Sequence, residues 1–156
     1  MTRPNPRPND ADTAAIRRLY DALMRAWNDG DAAAFAAAFH EDGDLVGFDG
    51  THLRGRDTIR EFHDQLFHTY VAGTRLVGFV RSVRFLDAGV AVMHAEGGTV
   101  MPDAREVDPE RNSIQTMVAT SVDGAWRLAA FQNTRVLLLG RPELVERLTA
   151  ELNTSV

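Results

Sequence analysis

The succession of hydrophobic periodicities along the chain narrows its fold more than any single motif. Apolar residues recur at helical spacing up to about residue 70, alternate at strand spacing from about 75 to 136, and return to helical spacing after Pro142. Ile16, Leu19, Tyr20, Leu23 and Trp27 fall at i, i+3, i+4, i+7 and i+11, a stripe along a helix that Asp12 or Thr13 can cap. The run NDG at 28–30 stops that helix, with Gly30 at the left-handed position. Asp31 caps a short second helix, DAAAFAAAFH, and a first strand is expected near 44–48. A third helix over about 57–70 buries Ile59, Phe62, Leu66, Phe67 and Tyr70, with His63 beside them. Strands follow around 75–86, in GVAVMHAEGGTV and in RNSIQTMVATSV, and Asp123-Gly124 turns tightly into the last one, WRLAAFQNTRV. Pro142 opens a final helix striped by Leu144, Val145, Leu148 and Leu152.

Helices, then a run of mostly antiparallel strands, then a helix make an α+β fold. The expected architecture is a cone-shaped curved sheet with three N-terminal helices on its concave face and a C-terminal helix. Residues 1–11, with Pro4, Pro6 and Pro8 among polar residues, read as an extended, disordered lead-in. Residues 12–136 then form the domain, and 137–156 a helical extension.

Composition removes whole classes of chemistry. A chain of 156 residues fits one domain with a real core. It has no cysteine, which excludes disulfides, thiol nucleophiles and thiolate metal sites. All 17 basic residues are arginine, so Schiff-base chemistry, a pyridoxal phosphate anchor and a Walker lysine are excluded too. The net charge of −5 and the scattered arginines argue against nucleic acid. No apolar run reaches the roughly 18–20 residues of a membrane span, and the N-terminus lacks a signal-peptide core. The expected compartment is the cytoplasm.

Strand alternation assigns candidate residues to faces. In the last strand Trp126, Leu128, Ala130 and Gln132 share one face and Arg127, Ala129, Phe131 and Asn133 the other. The charge of Arg127 marks its face as outer, which turns Gln132 inward; a bulge would put Asn133 there instead. Phe131 beside Arg127 implies that the outer face is covered, most simply by a second subunit. Val90, Val92, His94 and Glu96 form another set, and Ser113, Gln115 and Met117 a third. Convergence of His94, Gln115 and Gln132 would give a hollow with one titratable group and two amides. Glu96, two residues from His94, could orient the imidazole and raise its pKa, so His94 and Glu96 are the catalytic candidates. Gln115, Gln132, Asn133, Tyr20, Trp27, Phe48, His63, Met117 and Trp126 are candidates for ligand contact. Plain structural roles stand beside these: a core histidine at His94 or His63, a solvated Glu96 before Gly97-Gly98, and Gln115 and Gln132 satisfying each other. HED at 40–42 suits a turn, five dispersed histidines give no zinc spacing, and GxGxxG is absent. No metal and no cofactor are expected.

The runs LYDALMRAWNDGDAAAFAAAFHEDGDLVGF, LRGRDTIREFHDQLF and DGAWRLAAFQNT resemble the nuclear transport factor 2-like superfamily over about residues 12–136. That superfamily includes ketosteroid isomerases, polyketide cyclases of the SnoaL type and the association domain of calmodulin-dependent kinase. LRGRDTIREFHDQLF and AAFQNTR look closest to small proteins found with enediyne polyketide biosynthesis. The resemblance implies a cone, a ligand site inside it and a homodimer. It does not carry over isomerase chemistry: the tyrosine and aspartate of ketosteroid isomerases fall at Leu23 and Gly47, with Tyr20 and Asp49 only nearby. Three functions remain open. The first is acid/base action on an apolar, polyketide-like ligand by cyclisation, isomerisation or hydrolysis. The second is binding without turnover, and the third a dimerisation scaffold.

Overall fold

The computed structural model describes residues 10–156; most of the expected lead-in lies outside them, and Asp10 and Ala11 already belong to the first helix. In chain order the elements are α1 (Asp10–Asp29), α2 (Ala32–Ala37), β1 (Phe39–Val46), β2 (His52–Arg54), α3 (Arg56–Phe67), β3 (Arg75–Asp87), β4 (Val90–Val100), a 3-10 turn (Pro109–Arg111), β5 (Ser113–Val122), β6 (Ala125–Arg135) and α4 (Pro142–Asn153). One six-stranded sheet runs β2-β1-β6-β5-β4-β3. Every pairing is antiparallel except β1 with β6. The α+β architecture expected from the element order is therefore present. Three details differ: strand pairing starts earlier, at Phe39 where a helix was expected; the Gly-rich loop contains β2; and α3 ends at Phe67. Tyr70, expected on the buried face of α3, is therefore outside the helix and exposed, and Phe62 is exposed too. Among the described residues no helix is long and apolar enough to cross a membrane.

Two cores form on opposite faces of the sheet. On the inner face, Ile16, Tyr20 and Leu23 of α1, Phe35 of α2 and Ile59 and Phe67 of α3 pack against Met93, Met117, Leu128 and Phe131. On the outer face, Leu148 and Leu152 of α4 cover Val77, Val100 and Val107. Arg81 ties α4 down further: its guanidinium grips Glu151 at 2.7 and 2.6 Å and Glu96 at 2.7 Å.

Close approach of α1 depends on glycine. Gly78 and Gly97 pair across β3 and β4. The Tyr20 phenol occupies the space where their side chains would be, 3.1 Å from a Cβ placed at Gly97 and closer still to one at Gly78. A Cβ at Gly78 would also meet the Glu96 carbonyl oxygen at 2.8 Å. Gly30 is needed for a different reason: it has φ +65° and open space around it. Gly78→Ala should therefore destabilise by about 1–3 kcal/mol through overpacking. Gly30→Ala should cost only about 1–2 kcal/mol, at the low end, from backbone strain alone. Urea midpoints of the two variants test this, and a G78A protein as stable as wild type would refute the tight seat.

Candidate functional site

The expected polar floor exists, with different members. Asn133, not Gln132, faces inward, because Ala129 is an extra residue: Val118 pairs with Ala130 while Ala119 pairs with Leu128. This bulge swaps the alternation, so Leu128 before it and Phe131 and Asn133 beyond it all face the helices. Gln132 is exposed on the outer face, opposite Thr116. Gln115 is the centre of the inner group. Its Nε2 donates to Ser113 Oγ at 2.8 Å and to Asn133 Oδ1 at 2.9 Å, and its Oε1 lies 3.3 Å from the Tyr20 hydroxyl. The same hydroxyl lies 3.3 Å from the Glu96 carbonyl, and burial pushes its pKa up, so the phenol stays protonated. Both amide protons of Gln115 are used within the protein. Gln115 is thus satisfied within the protein, while Asn133 contributes only its Oδ1 to the network.

His94 and Glu96 share a face as expected, but it is the outer one. Ala91, Met93 and Ala95 occupy the inner face of β4, fully buried. Val90 and Val92 suggested the opposite, yet the helices leave room inward only for small residues and Met93. Glu96 turns its carboxylate to Arg81, at 2.6 Å, rather than to His94. The His94–Glu96 acid/base pair is thus not assembled. Met117 faces inward but is sealed in the core. Phe48 is 55% exposed, with the Arg135 guanidinium 4.1 Å above its ring. Trp126 donates its indole N–H to Asp12 at 2.9 Å and packs its edge on Phe85, which anchors the start of α1.

A second set of candidates does converge. His63, 3% exposed, stacks on Phe35 at 4.2 Å and meets Trp27, Phe62 and Phe67 edge-on at 6.3, 5.6 and 5.7 Å. Its Nδ1 lies 2.8 Å from the Ile59 carbonyl oxygen, an acceptor, so Nδ1 carries the proton and Nε2 keeps a free lone pair. Burial lowers the pKa, and the Ile59 bond offsets this in part, so the ring is neutral around neutral pH. Trp27 and Phe67 present their other sides to a hollow of about 490 Å³ at the rim of the cone, where the ends of α1 and α3 meet the start of β3 and the end of β4. Such a volume suits a compact organic molecule. The walls are pinned. The Trp27 indole donates to Thr74 Oγ1 at 3.2 Å, and that hydroxyl donates to the Val71 carbonyl at 2.7 Å. Asn28 pairs with the Leu76 backbone in both directions, at 3.0 and 2.7 Å.

Sequence reasoning named Trp27 and His63 but missed Asn28, Phe67 and Thr74 as site residues. Asn28 looked like part of a helix stop, Phe67 like one more core residue, and Thr74 sits in a loop without periodicity. Among the described residues, no three His, Asp or Glu side chains converge to hold a metal ion.

Two expectations follow. Tyr20→Phe leaves Gln115 Oε1 without its partner and should cost about 1–3 kcal/mol. Tyr70→Phe, at a side chain 92% exposed, should leave the unfolding midpoint unchanged. His63 ties stability to pH with a definite sign. Its native pKa is depressed, so its contribution is whole above the unfolded value of about 6.5. The contribution fades as pH falls toward the native value, because only the unfolded chain takes up the proton. His63→Phe should therefore lose less stability than wild type between about pH 7 and pH 5. Parallel denaturation curves for the two proteins would show that His63 is not held neutral.

Comparison with known proteins agrees with this architecture. The sequence profile of the SnoaL-like domain matches residues 10–132. No curated protein matches the chain significantly. A domain of unknown function with a cystatin-like fold from Nostoc punctiforme superposes with a TM-score of 0.83 at 38% identity, covering 90% of this chain and 86% of that one. An uncharacterised protein with a cystatin-like fold from Caulobacter vibrioides is 30% identical, with a TM-score of 0.66 and coverages of 86% and 97%. A type 2 hexachlorocyclohexane dehydrochlorinase shares the fold at 14% identity, with a TM-score of 0.69 and coverages of 80% and 85%. The chain belongs to the SnoaL-like domain family, on the cone fold that its helices and bent sheet build.

Proposed function

We propose that the protein binds a small, mostly apolar molecule of polyketide-type secondary metabolism in the rim hollow. His63 stands behind Trp27, outside the lining of the hollow, and becomes the proton acceptor for a cyclisation, isomerisation or hydrolysis of that molecule only where Trp27 moves to let it reach. The carrying observation is Trp27, which lines the hollow and also packs edge-on with the neutral His63 ring. An imidazole whose Nδ1 proton is held by a carbonyl has the tautomer of a general base, with Nε2 as the acceptor. The aromatic wall and a few placed polar groups are what a site for an apolar ligand needs. The polyketide assignment rests on the family and on LRGRDTIREFHDQLF and AAFQNTR, which resemble proteins found with enediyne biosynthesis. A fold neighbour named for hexachlorocyclohexane, a small apolar ring, is in keeping with this ligand class.

Binding without turnover is the second reading, favoured by the Tyr20–Gln115–Asn133 network, which uses both amide protons of Gln115 within the protein. The site is tested with naphthol as an apolar probe. The protein has two tryptophans, and Trp126→Phe assigns the two indole N–H resonances in a nitrogen-correlated spectrum. Naphthol should shift the Trp27 signal saturably, leave that of Trp126 in place, and lose affinity for Trp27→Ala; a shift confined to Trp126 would refute the rim site. Native mass spectrometry of protein purified from its source gives the physiological ligand. If His63→Gln keeps that ligand and still turns it over at the wild-type rate, the imidazole is not the base.

A further inference from the structure

The rim hollow has a charge pattern that its apolar wall does not require. Its lining combines Trp27, Phe67, Val71, Val100 and Met101 with two exposed aspartates, Asp29 and Asp103. The ion pairs among the described residues are Asp44–His52, Arg81 with Glu96 and Glu151, and Asp108–Arg111. Neither Asp29 nor Asp103 is in any of them, and neither is Arg75, the one guanidinium that lines the hollow. The two aspartates are thus not ion-paired with the arginine that shares the lining.

The backbone adds to the same sign. Helix α1 ends at Asp29, and α3 ends at Phe67, so both helices direct their C-terminal, partially negative ends toward the hollow. Neither has a basic residue in its last turn. An aspartate at the end of α1 goes against the dipole, a placement that a bound cation would relieve. Trp27 is the best aromatic partner for such a cation, and its indole N–H is already held by Thr74, which fixes how the ring is presented.

We infer that the rim hollow selects a ligand whose apolar body carries a protonated amine, the body against Trp27 and Phe67 and the ammonium toward Asp29 and Asp103. The inference rests on the hollow being the ligand site and adds the substrate's charge. Arg75, exposed in the same lining, opposes this selection and would favour a carboxylate, which a carboxylate probe tests.

Three probes with one ring system separate the possibilities: naphthylethylamine, naphthylethanol and naphthylpropionate, each titrated against the Trp27 indole signal. The amine should bind roughly tenfold more tightly than the alcohol, and the carboxylate more weakly than either. The paired changes Asp29→Asn and Asp103→Asn should bring the amine down to the alcohol's affinity. They leave both backbones in place, since asparagine tolerates the φ of +67° at position 103. Added salt should narrow the gap. Equal binding of amine and alcohol, or tighter binding of the carboxylate, overturns the charge selection while the hollow stands as a site. If none of the probes moves the Trp27 signal, the hollow itself is refuted and this inference falls with it.

Discussion

Helix α1 can lie on the sheet because β3 and β4 give up their side chains where the Tyr20 ring arrives. Gly78 and Gly97, paired across the two strands, leave a step one phenol deep, and the hydroxyl at the bottom meets Gln115. Much of the architecture rests on this seat. It sets the depth of the helix, and hence how tightly Leu23, Phe35 and Ile59 close on Met93 and Met117. It also supplies the hydroxyl that meets Gln115 Oε1, while Nε2 donates to Ser113 and Asn133, so the amide can sit at 5% exposure. The outer face uses glycine in the same way, since Gly98 lies under Val107 and Leu152 where α4 packs.

Because the middle of the cone is filled in this manner, the hollow lies at its rim. The polar groups under the sheet satisfy one another, whereas the aromatic cluster around His63 joins the core to the hollow through shared walls. Trp27 and Phe67 are core residues on one side and cavity residues on the other. A buried neutral imidazole adds a proton acceptor without placing a charge in the core, where an unpaired cation would be expensive. Its tautomer is set by a single carbonyl one helical turn earlier, at Ile59.

The elements were largely legible because they depend on local periodicity. The stripe from Ile16 to Trp27, the Asp123-Gly124 hairpin and the Leu148–Leu152 pair all appear where their spacing placed them. The faces of the strands were less legible. His94 and Glu96 do share a side, as alternation requires, but which side looks inward depends on how near α1 comes, and Ala91, Ala95 and Gly97 were needed to read that. Gln132 and Asn133 exchanged roles through one inserted residue, Ala129, that no pattern in WRLAAFQNTRV announces.

The sequence by itself determined the α+β order of the elements, the absence of thiol and lysine chemistry, and the presence of Tyr20, Trp27, His63, Gln115 and Asn133 as polar or aromatic residues in apolar surroundings. Only the tertiary structure decided which of them meet. Spacing along a chain specifies which residues share a face, whereas contact between Trp27, Phe67 and Thr74 requires three segments more than 40 residues apart at their extremes to be brought to one rim by packing. Burial then sets the electrostatics, because the pKa values of Tyr20 and His63 follow from the water they lose, which no stretch of sequence encodes locally.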